Sequence, residues 1–287
     1  MITPTQSAQL RRVAENAARI AGDPLLDVFR SGMGYSYKRD RHDIVTEHDR
    51  ASEARIIAEI TTAVPDSTIV GEEGGETGQG RVRWYVDPID GTSNFARGIA
   101  NWCVSIAAAV DGELVAGVIY DPVAGNMFAA DREHGASLNT RPIAVNAEAE
   151  EERAVLLTGF PNNKHLRLFG RQALYAHEEL LDAFLAIRTL GSGALNLAHV
   201  AAGWADAVIG FRTNSWDVGA GAFILEQAGG RYFGFRDGAP ATPAFLMPDY
   251  IAVGRASAYP SLQAIMTRLT RPAHDEHNEP SKEALGS

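Results

Sequence analysis

Residues 104–120 constrain the fold of this chain more than any other stretch. Val104–Val110 and Leu114–Tyr120 are apolar, strand-like runs on either side of Asp111-Gly112. An Asp-Gly pair supplies the backbone freedom that a tight β-hairpin turn requires, so an antiparallel pair is expected here. Further strands are predicted at Thr68–Val70, Trp84–Val86 and Met127–Ala130. Leu10, Val13, Ala17, Ile20 and Ala21 follow near-helical spacing and predict an amphipathic helix over 5–30. Ala51, Ala54, Ile57 and Ala58 predict a second over 46–60.

The remainder alternates differently. Strands are predicted at Ala154–Thr158, Ile187–Leu190, Ala207–Ile209, near Gly230–Phe235 and at Tyr250–Val253. Helices are predicted over 164–185, Ala194–Ala202, Trp216–Ala228 and 259–270. Such alternation points to a layered α/β half, whereas the first half reads as α+β. An Ala/Glu-rich polar stretch at 145–153 marks a boundary. The expected organisation is an α+β subdomain over 1–150, an α/β subdomain over 151–270 and a polar tail over 271–287.

Bulk charge narrows the function. The chain has 26 Lys and Arg against 36 Asp and Glu, a formal charge of −10. A general nucleic-acid binder needs a basic face, so no nucleic-acid partner is expected. An anionic small substrate stays open, because a bound cation reverses the local field. Cys103 is the only cysteine, which rules out an intrachain disulfide. It lies in an apolar strand and reads as a packed core thiol. No apolar run reaches the roughly 18 residues of a membrane span, and no secretory h-region is visible, so a cytoplasmic protein without a membrane partner is expected.

The chemistry concentrates in residues 84–94, WYVDPIDGTSN. Pro88 fixes one φ, removes a backbone donor and biases Asp87 towards extended geometry. Asp87 and Asp90 are then expected to converge across one tight turn. Two carboxylates held that close repel unless a cation sits between them, and oxygen ligands suit Mg²⁺, Mn²⁺ or Ca²⁺. The carbonyl of Ile89 offers a neutral ligand. Gly91 allows a close turn, and Thr92-Ser93-Asn94 supplies cap-type residues before a short helix, whose free N–H groups suit a phosphate. A lone D-x-x-D-G is more often an Asx-turn with a cap. Two features weigh against that plain reading: Glu72-Glu73 ends the preceding strand beside glycines, and Asp217 opens an Ala/Gly-rich helix. By itself Asp217 reads as a helix N-terminal acid. The Gly74–Gly80 stretch lacks the Gly-Lys-Ser/Thr ending of a nucleotide loop and reads as a mobile loop beside Glu72-Glu73. His42, His48, His274 and His277 read as surface residues.

Taken together, Gly71-Glu72-Glu73, Trp84–Phe95 and Ser215–Gly221 resemble the inositol monophosphatase family of lithium-sensitive, magnesium-dependent phosphatases. Weaker matches are Asp43–Asp49, Gly159-Phe160-Pro161 and Leu190–Ala194, and the order spans roughly residues 10–270. The resemblance implies a layered α-β-α-β-α sandwich of the inositol monophosphatase and fructose-1,6-bisphosphatase type. It implies a first Mg²⁺ site at Glu72, Asp87 and the Ile89 carbonyl, a second at Asp87, Asp90 and Asp217, and a weaker third leaning on Glu72. Mn²⁺ is an expected substitute, and Li⁺ or Ca²⁺ are expected inhibitors. Thr92, with Glu72, corresponds to the residues that position the attacking water, and Asp49 to the acid that binds that threonine. Backbone N–H groups of Gly91 and Thr92 hold the phosphate, with Asp90, Gly191, Ser192 and Lys38 also on the phosphate or substrate side. In the family, water attacks directly and no phosphoenzyme forms; one ion lowers the pKa of water and another stabilises the leaving alkoxide. Relatives are commonly homodimers.

The substrate side departs from the pattern. Inositol-specific members carry a glutamate seven residues before the metal aspartate, and here that position is Gly210. Arg212 nearby either reads a carboxylate, a second phosphate or hydroxyls, or sits on the surface. The expected substrate is a small phosphorylated polyol, sugar or amino alcohol. Histidinol phosphate, fructose 1,6-bisphosphate and 3′-phosphoadenosine 5′-phosphate are the alternatives within the superfamily. An alternative of another class is a regulatory or interaction protein with vestigial phosphatase activity, as some bacterial relatives are.

Overall fold

In a computed structural model of the chain, residues 2–32, 34, 36–37, 44–256 and 258–272 are described. Thr3 caps the first helix, α1 (Pro4–Val28), in a capping box with Gln6. A two-stranded ribbon, β1 (Ser36–Tyr37) and β2 (Ile44–Val45), leads to α2 (Glu47–Ala63), again opened by a capping box, between Thr46 and Asp49. The large sheet follows: β3 (Ser67–Gly71), β4 (Gly75–Gly78), β5 (Val82–Asp90), β6 (Cys103–Val110), β7 (Glu113–Asp121), β8 (Asn126–Asp131), β9 (Gly135–Leu138) and β10 (Arg141–Pro142), with α3 (Thr92–Arg97) between β5 and β6. Its strand order is β10-β9-β8-β7-β6-β5-β3-β4, antiparallel except for the β3–β5 pair.

A second sheet of six strands orders β12-β11-β13-β16-β14-β15. Its strands are β11 (Val155–Leu157), β12 (Ala186–Arg188), β13 (Ala207–Gly210), β14 (Arg231–Arg236), β15 (Ala239–Pro240) and β16 (Asp249–Val253). The helices between and after them are α4 (Asn163–Phe169), α5 (Gln172–Ala183), α6 (Gly193–Ala201), α7 (Ser215–Gln227) and α8 (Pro260–Thr270).

Strand alternation turns these elements into layers. Trp84, Val86, Val104, Ile106 and Ala108 point to one face of the large sheet, where they pack with Ala14, Ala17, Ala21, Ile56 and Ile60 of α1 and α2. Tyr85, Cys103, Ala107 and Ala109 point to the other face, against Leu195, Leu197, Val218 and Ile224 of α6 and α7 and against Val208, Tyr250 and Ala252 of the second sheet. Leu156, Ile209 and Ile251 face outward to Ala173, Leu180, Leu262 and Ile265 of α5 and α8. The order is α1/α2, sheet, α6/α7, sheet, α5/α8, which is the α-β-α-β-α sandwich expected from the sequence. Among the described residues, no helix is long and apolar enough to cross a membrane.

Three expectations need correction. The Gly-rich stretch 74–80 is no loop over residues 75–78: β4 pairs with β3 from Gly71↔Gly75 to Thr68↔Gly78. An edge strand uses backbone groups alone, so its composition gives little sign of it. The helix over 164–185 is broken into α4 and α5 at Gly170, whose left-handed φ of 56° ends the first piece. Strand β5 does not end at Val86 but runs on through Asp90. Lys38, His42, Asp43, His274, His277 and most of the expected tail lie outside the described residues.

Candidate active site

Asp87 and Asp90 meet through a bulge, not a tight turn. Asp87 pairs with Ser105 and Asp90 with Cys103, three residues on β5 against two on β6. Three steps along a regular strand would put the two acids on opposite faces, and the one extra residue returns Asp90 to the face of Asp87. Pro88 sits inside this irregularity, where its missing N–H leaves no ladder bond unmade. Asp87 Oδ1 accepts from the Ile89 N–H at 3.0 Å, which fixes the carboxylate against its own bulge.

Glu72 arrives laterally. The parallel register Gly71↔Val86 brings the end of β3 beside Asp87, and the Glu72 N–H donates to the Val86 carbonyl at 3.1 Å. Asp217 comes from the opposite layer, in the first turn of α7, where it completes a capping box: the Asn214 N–H and side-chain amide donate to Asp217 Oδ2 at 2.8 and 3.2 Å. Asp90 is steadied by α6. Its Oδ2 accepts from the Ser192 hydroxyl and, at 2.7 Å, from the Ala194 N–H, close to the positive end of that helix.

These acids share one field. Burial, then the charges of Glu72, Asp90 and Asp217, push the Asp87 carboxyl well above the usual range. Burial raises Asp90 as well, against the pull of Ser192, Ala194 and Gly193. Burial, with Asp90 and Glu72 adding to it, lifts Asp217 to about 7. Among the described residues, no cationic side chain figures in the leading influences on these three. Nor do three acids close into a ready ligand shell among the described residues. Each of the three aspartates also accepts from a protein N–H donor. The donor set is all oxygen, only partly exposed and short of positive charge, and that fits a hard divalent cation.

Thr92 stands next to this cluster. Its Oγ1 lies 2.9 Å from the Ile89 carbonyl and 3.2 Å from Asp49 Oδ1. Asp49 is buried at the start of α2, and its Oδ2 accepts from the Thr46 N–H and hydroxyl at 2.8 and 2.6 Å. Gly91 precedes Thr92 with φ of 92°, and a Cβ there would come 3.0 Å from the Asn101 carbonyl and 3.3 Å from that of Gly191. The Gly191 turn is thus pressed onto the Gly91 turn, tied by Asn94 and Asn101 side chains donating to the Leu190 carbonyl at 2.8 and 3.0 Å. Ser192 is placed as a donor to Asp90.

On the substrate side, the space beside Gly210 is filled. A Cβ on Gly210 would fall 2.2 Å from Tyr250 Cε1, because the Tyr250 ring lies across its cross-strand partner. Burial, then the Asp217 and Asp90 charges, push the Tyr250 phenol up, which puts that ring in the field of the acids. Tyr232 stacks on it at 5.0 Å and 17°. Arg212 is exposed with a left-handed φ of 54°; its N–H donates to Asp249 Oδ1 at 2.9 Å and its carbonyl accepts from Lys164 Nζ at 2.6 Å.

Sequence reasoning missed Tyr250 and Glu53. Nothing local marks Tyr250, which reaches the site through strand pairing. Glu53 had a faint signal: it falls four residues after Asp49, on the face of α2 that buries Ile56 and Ile60. Cys103, read as a core thiol, is buried but lies 3.9 Å from Asp90 Oδ2 and 3.7 Å from the Ser192 hydroxyl.

The sequence profile of the inositol monophosphatase family matches residues 6–275. The chain is 39% identical over 225 residues to the Nus factor SuhB of Xylella fastidiosa strain Temecula1, covering 77% of this chain and 80% of that protein. Among solved structures, the inositol monophosphatase from Anabaena (Nostoc) sp. PCC 7120 superposes with a TM-score of 0.76 at 31% identity, over 93% of this chain and 96% of that one. The extragenic suppressor protein suhB from Bartonella henselae superposes with a TM-score of 0.79 at 30% identity, over 92% and 99%.

Proposed function

The chain belongs to the inositol monophosphatase family, and from that premise we propose that it is a Mg²⁺-dependent phosphomonoesterase acting on a small phosphorylated polyol, sugar or amino alcohol. The observation that carries this reading is the meeting of buried Asp87 with half-buried Asp90 and Asp217, from two different layers, in one mutually repelling set beside Thr92. Glu72, Asp87, Asp90, Asp217 and the Ile89 carbonyl would hold the ions. Mg²⁺ there supplies charge neutralisation for the phosphoryl oxygens and the leaving alkoxide and lowers the pKa of water, with Mn²⁺ a substitute and Li⁺ or Ca²⁺ inhibitors.

The chain's own groups do the positioning. The Thr92 hydroxyl has one proton and two acceptors within reach, Asp49 Oδ1 and the Ile89 carbonyl. Its proton is therefore engaged, and its oxygen faces an attacking water as an acceptor. Glu72 takes the other hydrogen of that water and receives the proton as the bond to phosphorus forms. The N–H groups of Gly91 and Thr92 bind the phosphoryl oxygens, where charge develops in the transition state. Subdomains 1–150 and 151–270 each contribute to this site. Gly191 and Arg212 line the substrate side in this reading, with Lys38, while buried Ser192 acts through its hydrogen bond to Asp90. The Tyr250 ring beside Gly210 argues for substrates other than inositol 1-phosphate, including histidinol phosphate, fructose 1,6-bisphosphate or 3′-phosphoadenosine 5′-phosphate.

The exposed apolar side chains Leu174, Tyr175, Leu181 and Leu185 support a homodimer, and a lone free thiol accords with the cytoplasm. Phosphate release from these four esters, with and without Mg²⁺, tests the enzyme reading; no Mg²⁺-dependent release from any of them sinks it. The relatives named Nus factor favour a second reading, a regulatory or interaction protein whose phosphatase activity is vestigial. An interaction that survives Asp87→Asn while phosphate release is lost would support it.

A further inference from the structure

Glu53 follows Asp49 by one turn of α2, so the two carboxylates leave the same side of the helix. Asp49 serves Thr92. Glu53, only 3% exposed, reaches the turn that carries Glu72. Its Oε2 accepts from the Glu73 N–H at 2.9 Å and its Oε1 from the Gly74 N–H at 2.7 Å. One carboxylate thus occupies two successive backbone donors with charge-assisted bonds.

The turn is shaped to admit it. A Cβ on Gly71 would lie 2.5 Å from Glu53 Oε2, and one on Gly74 would lie 2.8 Å from Oε1. The two glycines that bracket Glu72-Glu73 are bare on the side where this carboxylate enters. Besides Glu53, the segment is tied by the Glu72 N–H bond to the Val86 carbonyl and by the Gly71↔Gly75 pairing of β3 with β4, a strand exposed along its whole length. The helix itself is fixed independently by Ile56 and Ile60, both fully buried.

We infer that Glu53 is a positioning residue for the metal site: by clamping the Glu73 and Gly74 N–H groups, it holds the Glu72 turn in register with the Thr92–Asp49 pair that the same helix carries. One rigid element then sets the spacing between a metal-binding acid and the hydroxyl that orients water. The inference rests on reading Glu72 and Asp87 as metal ligands, and residues that orient ligands in this way usually change metal affinity 10- to 100-fold when altered, roughly.

The test uses the full chain, stripped of metal and without substrate. Mg²⁺ binding is measured by calorimetry, and exchange of the Glu73 and Gly74 amide hydrogens by NMR, for the parent, Glu53→Gln, Gly74→Ala and Asp87→Asn. In Glu53→Gln one acceptor becomes an NH₂ group facing an N–H, so Mg²⁺ affinity should fall about tenfold and the two amides should exchange faster. Gly74→Ala crowds Oε1 without removing it and should give a smaller change of the same sign. Should Glu53→Gln fail to fold, Gly74→Ala decides. Affinity within about twofold of the parent, or weakened affinity with both amides still protected, overturns the role of Glu53. A parent that takes up no more Mg²⁺ than Asp87→Asn overturns the metal reading itself, and this inference with it.

Discussion

The Thr92 hydroxyl oxygen lies 3.2 Å from Asp49 Oδ1, joining the start of a six-residue helix in the large sheet's loop to the start of α2. The acid is not free to wander, because its other oxygen is taken by Thr46 twice. A buried carboxylate fixed in this way fixes the hydroxyl in turn. The orientation of Thr92 is therefore built in before any substrate arrives, which is the condition for positioning water at little entropic cost.

Thr92→Val should test that arrangement, since it keeps the shape and removes the hydroxyl. Phosphate release is expected to fall roughly 10²-fold, the cost of losing a group that positions the attacking water. Mg²⁺ affinity should change little, and Thr92→Ser should recover most of the rate. A Thr92→Val chain with parental kcat would remove Thr92 from the mechanism.

Asp87→Asn removes the most strongly perturbed carboxylate while keeping its size. Loss of a Lewis-acid site worth several kcal/mol predicts a fall in Mg²⁺-dependent release of about 10³-fold or more. The metal-free protein should become more stable, because one of the repelling acids is gone. Calorimetric melting in EDTA checks this, and a lower Tm for the variant would contradict the picture of an uncompensated acid cluster.

Much of this was legible because the acids are local in sequence. Asp87-Pro88-Ile89-Asp90-Gly91-Thr92 announces itself, and Glu72 and Asp217 sit at element ends that periodicity locates. What the sequence could not reveal depended on partners far away. The bulge that aligns Asp87 with Asp90 is defined against Ser105 and Cys103, so a tight turn was the nearest local explanation. Strand β4 is held by backbone pairing, to which its glycines give no clue. Apolar spacing continued across Gly170 and hid the break between α4 and α5. Glu53 and Tyr250 act at the site only because α2 and β16 bring them there.

Asp217 gives the metal-free protein a pH signature. Its folded pKa of about 7 lies above the ordinary 3.8, so between those values the folded state holds the extra proton. Stability from this group is complete below about pH 4 and declines as pH rises through about 7, by on the order of 4 kcal/mol at most. Asp87 and Asp90, also raised, act in the same sense. In EDTA, Tm should drop by several degrees between about pH 5 and pH 8. Mg²⁺ should restore it at the higher pH, where the carboxylates are ionised and ready to bind. Equal Tm values in EDTA at both pH values would count against the raised pKa.

Gly210 and Tyr250 supply the sharpest test of substrate preference. The Tyr250 ring occupies the space into which any side chain at 210 would grow, with Cε1 and Cζ at 2.2 and 2.7 Å from an ideal Cβ. Gly210→Glu alone should therefore overpack β13 against β16 and cost about 1–3 kcal/mol, with no gain on inositol 1-phosphate. Gly210→Glu combined with Tyr250→Ala clears that space. The pair should be more stable than the two single effects added together, because each change relieves the other. It should also raise the ratio of inositol 1-phosphate hydrolysis to hydrolysis of the other three esters, since a carboxylate replaces an aromatic wall beside Asp217. Melting curves of the four chains give the coupling energy, and kcat/KM for each ester gives the ratio. If Gly210→Glu melts with the parent, the ring does not guard that position, and the substrate preference must be sought at Arg212 instead.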